Sequence, residues 1–226
     1  ANPAMLWRLK ENVNVVSFSD AHSFWPFRLG REATVFDIKE LSYENIMKAI
    51  RTENGLKKTI EVKPEYGKFH IDGHRSCNFF CDFKESRKLN KICPKCKHEL
   101  TIGVEYRIEE LAKENEGYKP ENAKNFIEII PLQELISVVY NVKQLNSRKV
   151  WSIYDILIKN FGNELNVLLN VSEDELRKVV HEKLAKIILL NRERKLTIRA
   201  GFDGVYGSII LDEKDKIKTQ KSINEF

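Results

Sequence analysis

The chain has 226 residues, 42% of them hydrophobic, which suffices for one large or two small cored domains. Its longest apolar run, residues 126–140, is broken by Glu128 and Glu134, and no signal-type leader opens the sequence, so a bilayer-spanning helix is excluded and a cytoplasmic protein expected. The net charge of +5 is unevenly placed: residues 75–97 hold seven Lys or Arg against two acids and residues 176–199 hold eight against two, a distribution suited to a polyanionic partner.

In chain order, residues 2–9 read as a short helix or loop. Val13, Val15, Val16 and Phe18 read as a buried strand, after which alternation would send Asp20 and His22 to one face. A carboxylate and an imidazole converging past a strand end suit Zn²⁺ or Mn²⁺; the plain alternative is a surface turn. Residues 34–38 alternate as a strand, and Ser42 caps a helix through Arg51 that ends at Asn54-Gly55. Residues 59–62 and 68–71 read as strands, 101–104 as an exit strand, and 105–113 as a short acidic helix. A polar connection follows that carries no chemistry. Pro131 opens a helix through Tyr140. Ser147 caps another to Phe161, whose stripe of Trp151, Tyr154, Ile158 and Phe161 is explained by core packing. Residues 172–175 form a capping box, and Leu176, Val179, Val180, Leu184, Ile187 and Ile188 continue as helix. Residues 196–211 form a strand, an Asp203-Gly204 turn and a strand, with Phe202 or Tyr206 available for base stacking. The charged residues 212–226 read as a disordered tail.

Four cysteines in a reducing compartment point to metal ligands or buried thiols. Cys93-Pro94-Lys95-Cys96 is a knuckle whose turn aims two thiolates at one point. Two partner pairs are on offer: Cys77 with Cys81, or His74 with Cys77, the latter sharing the knuckle's two-residue spacing. Between Cys77 and Cys93 lie fifteen residues, a spacing that fits a zinc-ribbon-like finger. Four protein ligands leave no open position, so the ion would be structural Zn.

The ordered series SDAHS, WPFRLGRE, YGKFHIDGHRSC, ICPKCKHELTIGVEYRIEELA, GYKPENA and GFDGVYG resembles the PHP (polymerase and histidinol phosphatase) family, in particular endonuclease Q and its relatives, over nearly the whole chain. The resemblance implies a barrel-like catalytic domain with up to three metals and about nine ligands, of which only Asp20 and His22 are matched. The chain is accordingly expected to be the C-terminal half of a longer protein, completed by an N-terminal half of the PHP domain. GHRSC is similar to a GHR-x-C block of these relatives, where Cys81 falls at a commonly apolar position; this favours His74, Cys77, Cys93 and Cys96, with Cys81 the alternative to His74. The stretch FG-x-EL…VSEDEL resembles a helix-hairpin-helix module, but residues 180–183 lack the hairpin glycine, which removes the phosphate nest and leaves side-chain contacts.

The expected fold class is therefore α/β plus α+β: a closing βα segment of a PHP barrel (1–55), a zinc-finger module (56–104), a linker (105–130), a helical, helix-hairpin-helix-like module ending in a β-hairpin (131–212) and a tail (213–226). The implied function is a C-terminal fragment of a metal-dependent DNA endonuclease acting beside deaminated bases. Asp20 and His22 would hold Zn, Mn or Mg at an incomplete catalytic site, and DNA would be contacted by Arg75, Lys88, Lys91, Lys178, Lys183, Lys186, Arg192 and Arg194. The other reading is a non-catalytic, zinc-containing DNA-binding or scaffold module. The sequence carries no G-x4-GK-[ST] phosphate loop, so this chain is no helicase motor.

Overall fold

The computed structural model of the chain describes residues 1–11, 13–212 and 215–217. It divides into two compact units: Ala1–Asp20, Glu32–Glu128 and Ile198–Ser208 form one, and Ala21–Arg31, Ile129–Thr197 and Ile209–Phe226 the other. The predicted tail falls mostly outside the described residues. Among the described residues no helix is long and apolar enough to cross a membrane.

The first unit opens with α1 (Pro3–Trp7), capped by the Asn2 side chain on the Met5 amide. A three-stranded sheet follows, β1 (Ala33–Phe36) antiparallel to β2 (Leu56–Glu61), which runs parallel to β5 (Asn125–Glu128). Between β1 and β2 lies α2 (Tyr43–Thr52), capped by Ser42 as expected and ended by Glu53 and Gly55 in left-handed conformations. This sheet draws one strand from each of the stretches 1–55, 56–104 and 105–130. Leu56, Thr59 and Ile60 of β2 are buried, and the supposed linker supplies the strand that completes the sheet.

Residues 13–18 do not form the expected buried strand. Val13 and Phe18 are 69% and 60% exposed, and the segment meets β1 through one side chain: the Thr34 hydroxyl accepts the Ser17 N–H at 2.9 Å and donates to the Ser17 carbonyl at 2.8 Å. A threonine thus stands in for a ladder. Asp20 then turns left-handed (φ 45°), which ends the alternation that would have paired it with His22.

The remainder of this unit is a small module of short pieces. β3 (Asp72–His74) pairs antiparallel with β4 (Phe79–Cys81), α3 (Phe83–Lys88) follows under an Asp82 cap, and α4 (Val104–Leu111) leaves the module. The expected strand at 68–71 starts later, at Asp72, and the expected exit strand reduces to one bridge, Gly73 to Thr101, before α4 begins. Buried Asp72 fixes this corner, accepting the Gly103 N–H at 2.7 Å and the Ser86 hydroxyl.

The second unit is helical, with α5 (Leu132–Val139), α6 (Arg148–Phe161), α7 (Glu164–Leu169), α8 (Glu173–Val179) and α9 (Glu182–Arg192). Seven of the eight residues of α5 are buried, the polar Gln133, Glu134 and Ser137 among them. On α6 the fully buried positions are Val150 and Leu157; the aromatic stripe is half-buried, and Trp151 lies 6.1 Å from Trp25 of the returning 21–31 segment. The stretch read as helix from the capping box onward is two helices, α8 and α9. Val180 is extended and His181 caps α9, its ring accepting the Lys183 N–H, so the apolar spacing continues across a corner. Beyond it β6 (Ile198–Arg199) pairs with β7 (Ser208–Ile209).

Candidate metal centre and nucleic-acid interface

The Cys93–Cys96 knuckle is a tight turn in which the Lys97 N–H bonds to the Cys93 carbonyl at 2.9 Å and the Cys93 N–H to the His98 carbonyl at 2.7 Å. Opposite it, the end of β3 presents His74 and a 3-10 turn presents Cys77, the turn closing on Asn78 in a left-handed conformation. One ligand atom from each of His74, Cys77, Cys93 and Cys96 lies within 4.8 Å of all the others. Tetrahedral zinc with bonds of about 2.3 Å places its thiolates about 3.8 Å apart, so the set needs little contraction around an ion. His74 Nδ1 faces the Cys96 sulfur at 3.1 Å, and the Lys95 ammonium donates to the Cys77 carbonyl at 2.8 Å, holding the two halves together.

The thiols compete for ionisation. Burial pushes Cys93 up, but the backbone N–H groups of Cys96 and Lys95 and the His74 ring outweigh it and bring the thiol down to about 6. Cys77 is pushed up to about 11, first by its hydrogen bond with Cys96 and then by burial. A divalent cation relieves that competition by stabilising every thiolate at once. The local apolar core around the cluster is small: Cys81, Cys93 and Leu100, with Cys77, Phe79 and Cys96 against it. Cys81 stands apart on β4. It is buried, and desolvation pushes its thiol up to about 12, which suits a packed neutral side chain.

Asp20 and His22 are both exposed, Asp20 ending the first segment of one unit and His22 lying in the other. Neither enters a group of three or more candidate ligands among the described residues.

Of the expected DNA contacts, Arg75, Lys88, Lys178, Lys186 and Arg194 are exposed. Lys91 lies over the Tyr106 ring at 4.6 Å, Lys183 donates to the Lys216 carbonyl, and Lys186 pairs with Asp215 at 2.8 Å. Arg192 turns inward, its guanidinium donating to the carbonyls of Val167, Leu168 and Val171 at the end of α7, which makes it a helix-end cap. Of the proposed stacking rings, Phe202 is buried against Phe80, whereas Tyr206 is 44% exposed with the Lys68 ammonium over its face. Asp72, Thr101 and Asp203 were given no site role by sequence reasoning, although all three sit inside the quoted stretches YGKFHIDGHRSC, ICPKCKHELTIGVEYRIEELA and GFDGVYG.

The chain is similar in fold to part of two solved endonuclease structures. Over 100% of its length the chain matches the crystal structure of PfuEndoQ from Pyrococcus furiosus, at TM-score 0.83 and 31% identity, covering 56% of that chain. Over 99% it matches endonuclease Q in complex with a 27-mer duplex substrate carrying an abasic lesion at the active site, at TM-score 0.85 and 30% identity, covering 57% of that chain. Residues 131–195 match the family model described as the MJ0043 C-terminal domain. The uncharacterized protein MJ0043 of Methanocaldococcus jannaschii is 36% identical over 86% of this chain, and the uncharacterized protein YqxK of Bacillus subtilis 28% identical over 84%. The chain spans 25% and 45% of the length of these two relatives.

Proposed function

We propose that this chain is the C-terminal part of a metal-dependent DNA repair endonuclease of the PHP type that cuts beside deaminated bases, and that its own task is to hold DNA. The observation that carries the reading is the match along the whole chain, at 30–31% identity, to a lesion-specific endonuclease and to one in complex with duplex DNA. In this reading Zn²⁺ occupies the His74, Cys77, Cys93 and Cys96 cluster and organises the small module. The exposed Arg75, Lys88, Lys178 and Arg194 contact phosphates. Asp20 and His22 supply two of the ligands of a catalytic Zn, Mn or Mg cluster, whose ions activate water and neutralise the phosphate once the N-terminal half of the PHP domain completes it.

Hydrolysis of a phosphodiester needs ions fixed by several ligands at once, because water must ionise and the leaving oxygen be stabilised in one geometry. Two side chains do not provide that. The test is a nicking assay on duplex DNA containing uracil or hypoxanthine, with Mg²⁺ or Mn²⁺, comparing this chain with the longer protein. We expect no nicking by the chain alone, and nicking by the longer protein that is lost in Asp20→Ala or His22→Ala while DNA binding persists. Nicking by the chain alone that survives both substitutions overturns the assignment. A longer protein that binds DNA without cutting it leaves the binding module as the better reading.

A further inference from the structure

We propose that Asp203 is a positioning residue for the metal centre, and that residues 200–207 form a third part of the metal-binding module besides its two ligand-bearing turns. The inference rests on reading the four-ligand cluster as a metal site. Little regular structure joins the two halves of that cluster, since β3 and β4 have three residues each. A carboxylate 128 residues downstream does. Asp203 Oδ2 accepts the N–H of Arg75, the residue after the ligand His74, at 2.7 Å. Its Oδ1 accepts the Thr101 hydroxyl at 2.6 Å, and Thr101 lies on the return from the knuckle, exchanging both backbone hydrogen bonds with Gly73. One side chain therefore grips the His74–Cys77 half and the segment that follows Cys93 and Cys96. Such outer partners orient ligands and typically change metal affinity 10- to 100-fold when lost.

The loop that carries Asp203 is itself fixed backbone to backbone. Gly201 N–H donates to the Glu65 carbonyl, its carbonyl accepts from His70 and Ile71, and Gly204 and Gly207 donate to the carbonyls of Lys68 and Tyr66. Only glycine permits this approach: a Cβ at Gly201 would lie 2.0 Å from the Gly67 oxygen, and one at Gly207 2.1 Å from the Glu65 oxygen. Phe202 packs directly on the ligand strand, its ring 2.5 Å from where a Cβ on Gly73 would stand. The loop thus has no slack through which Asp203 could drift from the metal centre.

The experiment loads the full chain with Co²⁺, whose thiolate charge-transfer and d–d bands report ligand geometry, and follows metal release to a chromophoric chelator. Wild type is compared with Asp203→Asn, Asp203→Ala, Thr101→Val and the remote control Asp174→Asn, with folding monitored by circular dichroism. We expect release from Asp203→Ala at least about tenfold faster than from wild type, an intermediate rate from Thr101→Val, partial rescue in Asp203→Asn, shifted cobalt bands and an unchanged control. Wild-type bands and release rates in a folded Asp203→Ala overturn the proposal. If Asp203→Ala does not fold, Thr101→Val decides: a wild-type rate there overturns it equally. A wild-type chain that takes up no cobalt overturns the metal reading beneath it.

Discussion

Glu164 begins α7 with its carboxylate between the Leu132 N–H at 2.8 Å and the Tyr154 hydroxyl at 3.0 Å, where it meets the first amide of α5. Burial raises its pKa above the ordinary 4.5 despite both donors, and Glu134 adds to the rise. A carboxyl whose folded pKa is raised favours the folded state most below the unfolded value and loses that contribution as pH climbs through the folded one. Replacing it with glutamine removes this dependence, so the stability of wild type relative to Glu164→Gln should fall in urea titrations as pH rises above the ordinary carboxylate value of 4.5. Parallel profiles would place the titration elsewhere. The cysteines offer a second contrast at this scale. Cys93→Ser should lose the roughly one zinc per chain expected of a four-ligand site and unravel the small module. Cys81→Ser should keep the metal and lose only packing; metal analysis of both variants checks the order. The knuckle was readable because its spacing is local. Asp203 was not, because nothing in a sequence says that a turn carboxylate caps an amide 128 residues away.

The helices were the most legible elements, since a cap is a local device: Ser42, Ser147 and Ser172 each accept the amide three residues on, where the sequence suggested they would. The corner at Val180 and His181 lies where the helix-hairpin-helix resemblance puts its hairpin, but periodicity does not mark it, because apolar residues keep helical spacing on both sides. Residues 13–18 misled in the opposite way, their β-branched pattern promising a ladder that Thr34 replaces with a side chain. A buried polar link of the helical unit is made by Asn191 on α9. Its amide donates to the Ile130 carbonyl at 3.1 Å and accepts the Ile130 N–H at 3.0 Å, just ahead of α5. Truncation leaves a buried donor and a buried acceptor unpaired, each worth about 1–3 kcal/mol. Asn191→Ala should therefore lower unfolding stability by roughly 2–4 kcal/mol, with the urea slope unchanged. A loss below about 0.5 kcal/mol would mean that water reaches both groups.

At the scale of the molecule, the sequence suggested a file of consecutive modules, whereas the chain interleaves: residues 21–31 belong with the helices, and residues 198–208 return to the unit that holds the metal cluster. Hydrophobic pattern marks which faces are buried but not which segment covers them, so the return of GFDGVYG to the finger could not be read in advance. Charge is similarly ambiguous from sequence, because a lysine counted in a basic run is not thereby available to a phosphate. The structure sorts these runs. Arg192 caps α7 and Lys186 pairs with Asp215, while Arg75 and Lys88 are exposed near the metal cluster. Each phosphate neutralised on duplex DNA contributes about 0.9 to the slope of log affinity against log salt. If the chain binds DNA as proposed, the double replacement Arg75→Ala and Lys88→Ala should reduce that slope by about 2 with the fold intact. Lys186→Ala should change it by less than about 0.5, since its ammonium already has a carboxylate partner. Fluorescence anisotropy of a labelled duplex over a salt series measures all three. A slope that responds to Lys186 and ignores Arg75 and Lys88 would move the phosphate-contacting face from the metal module to α9.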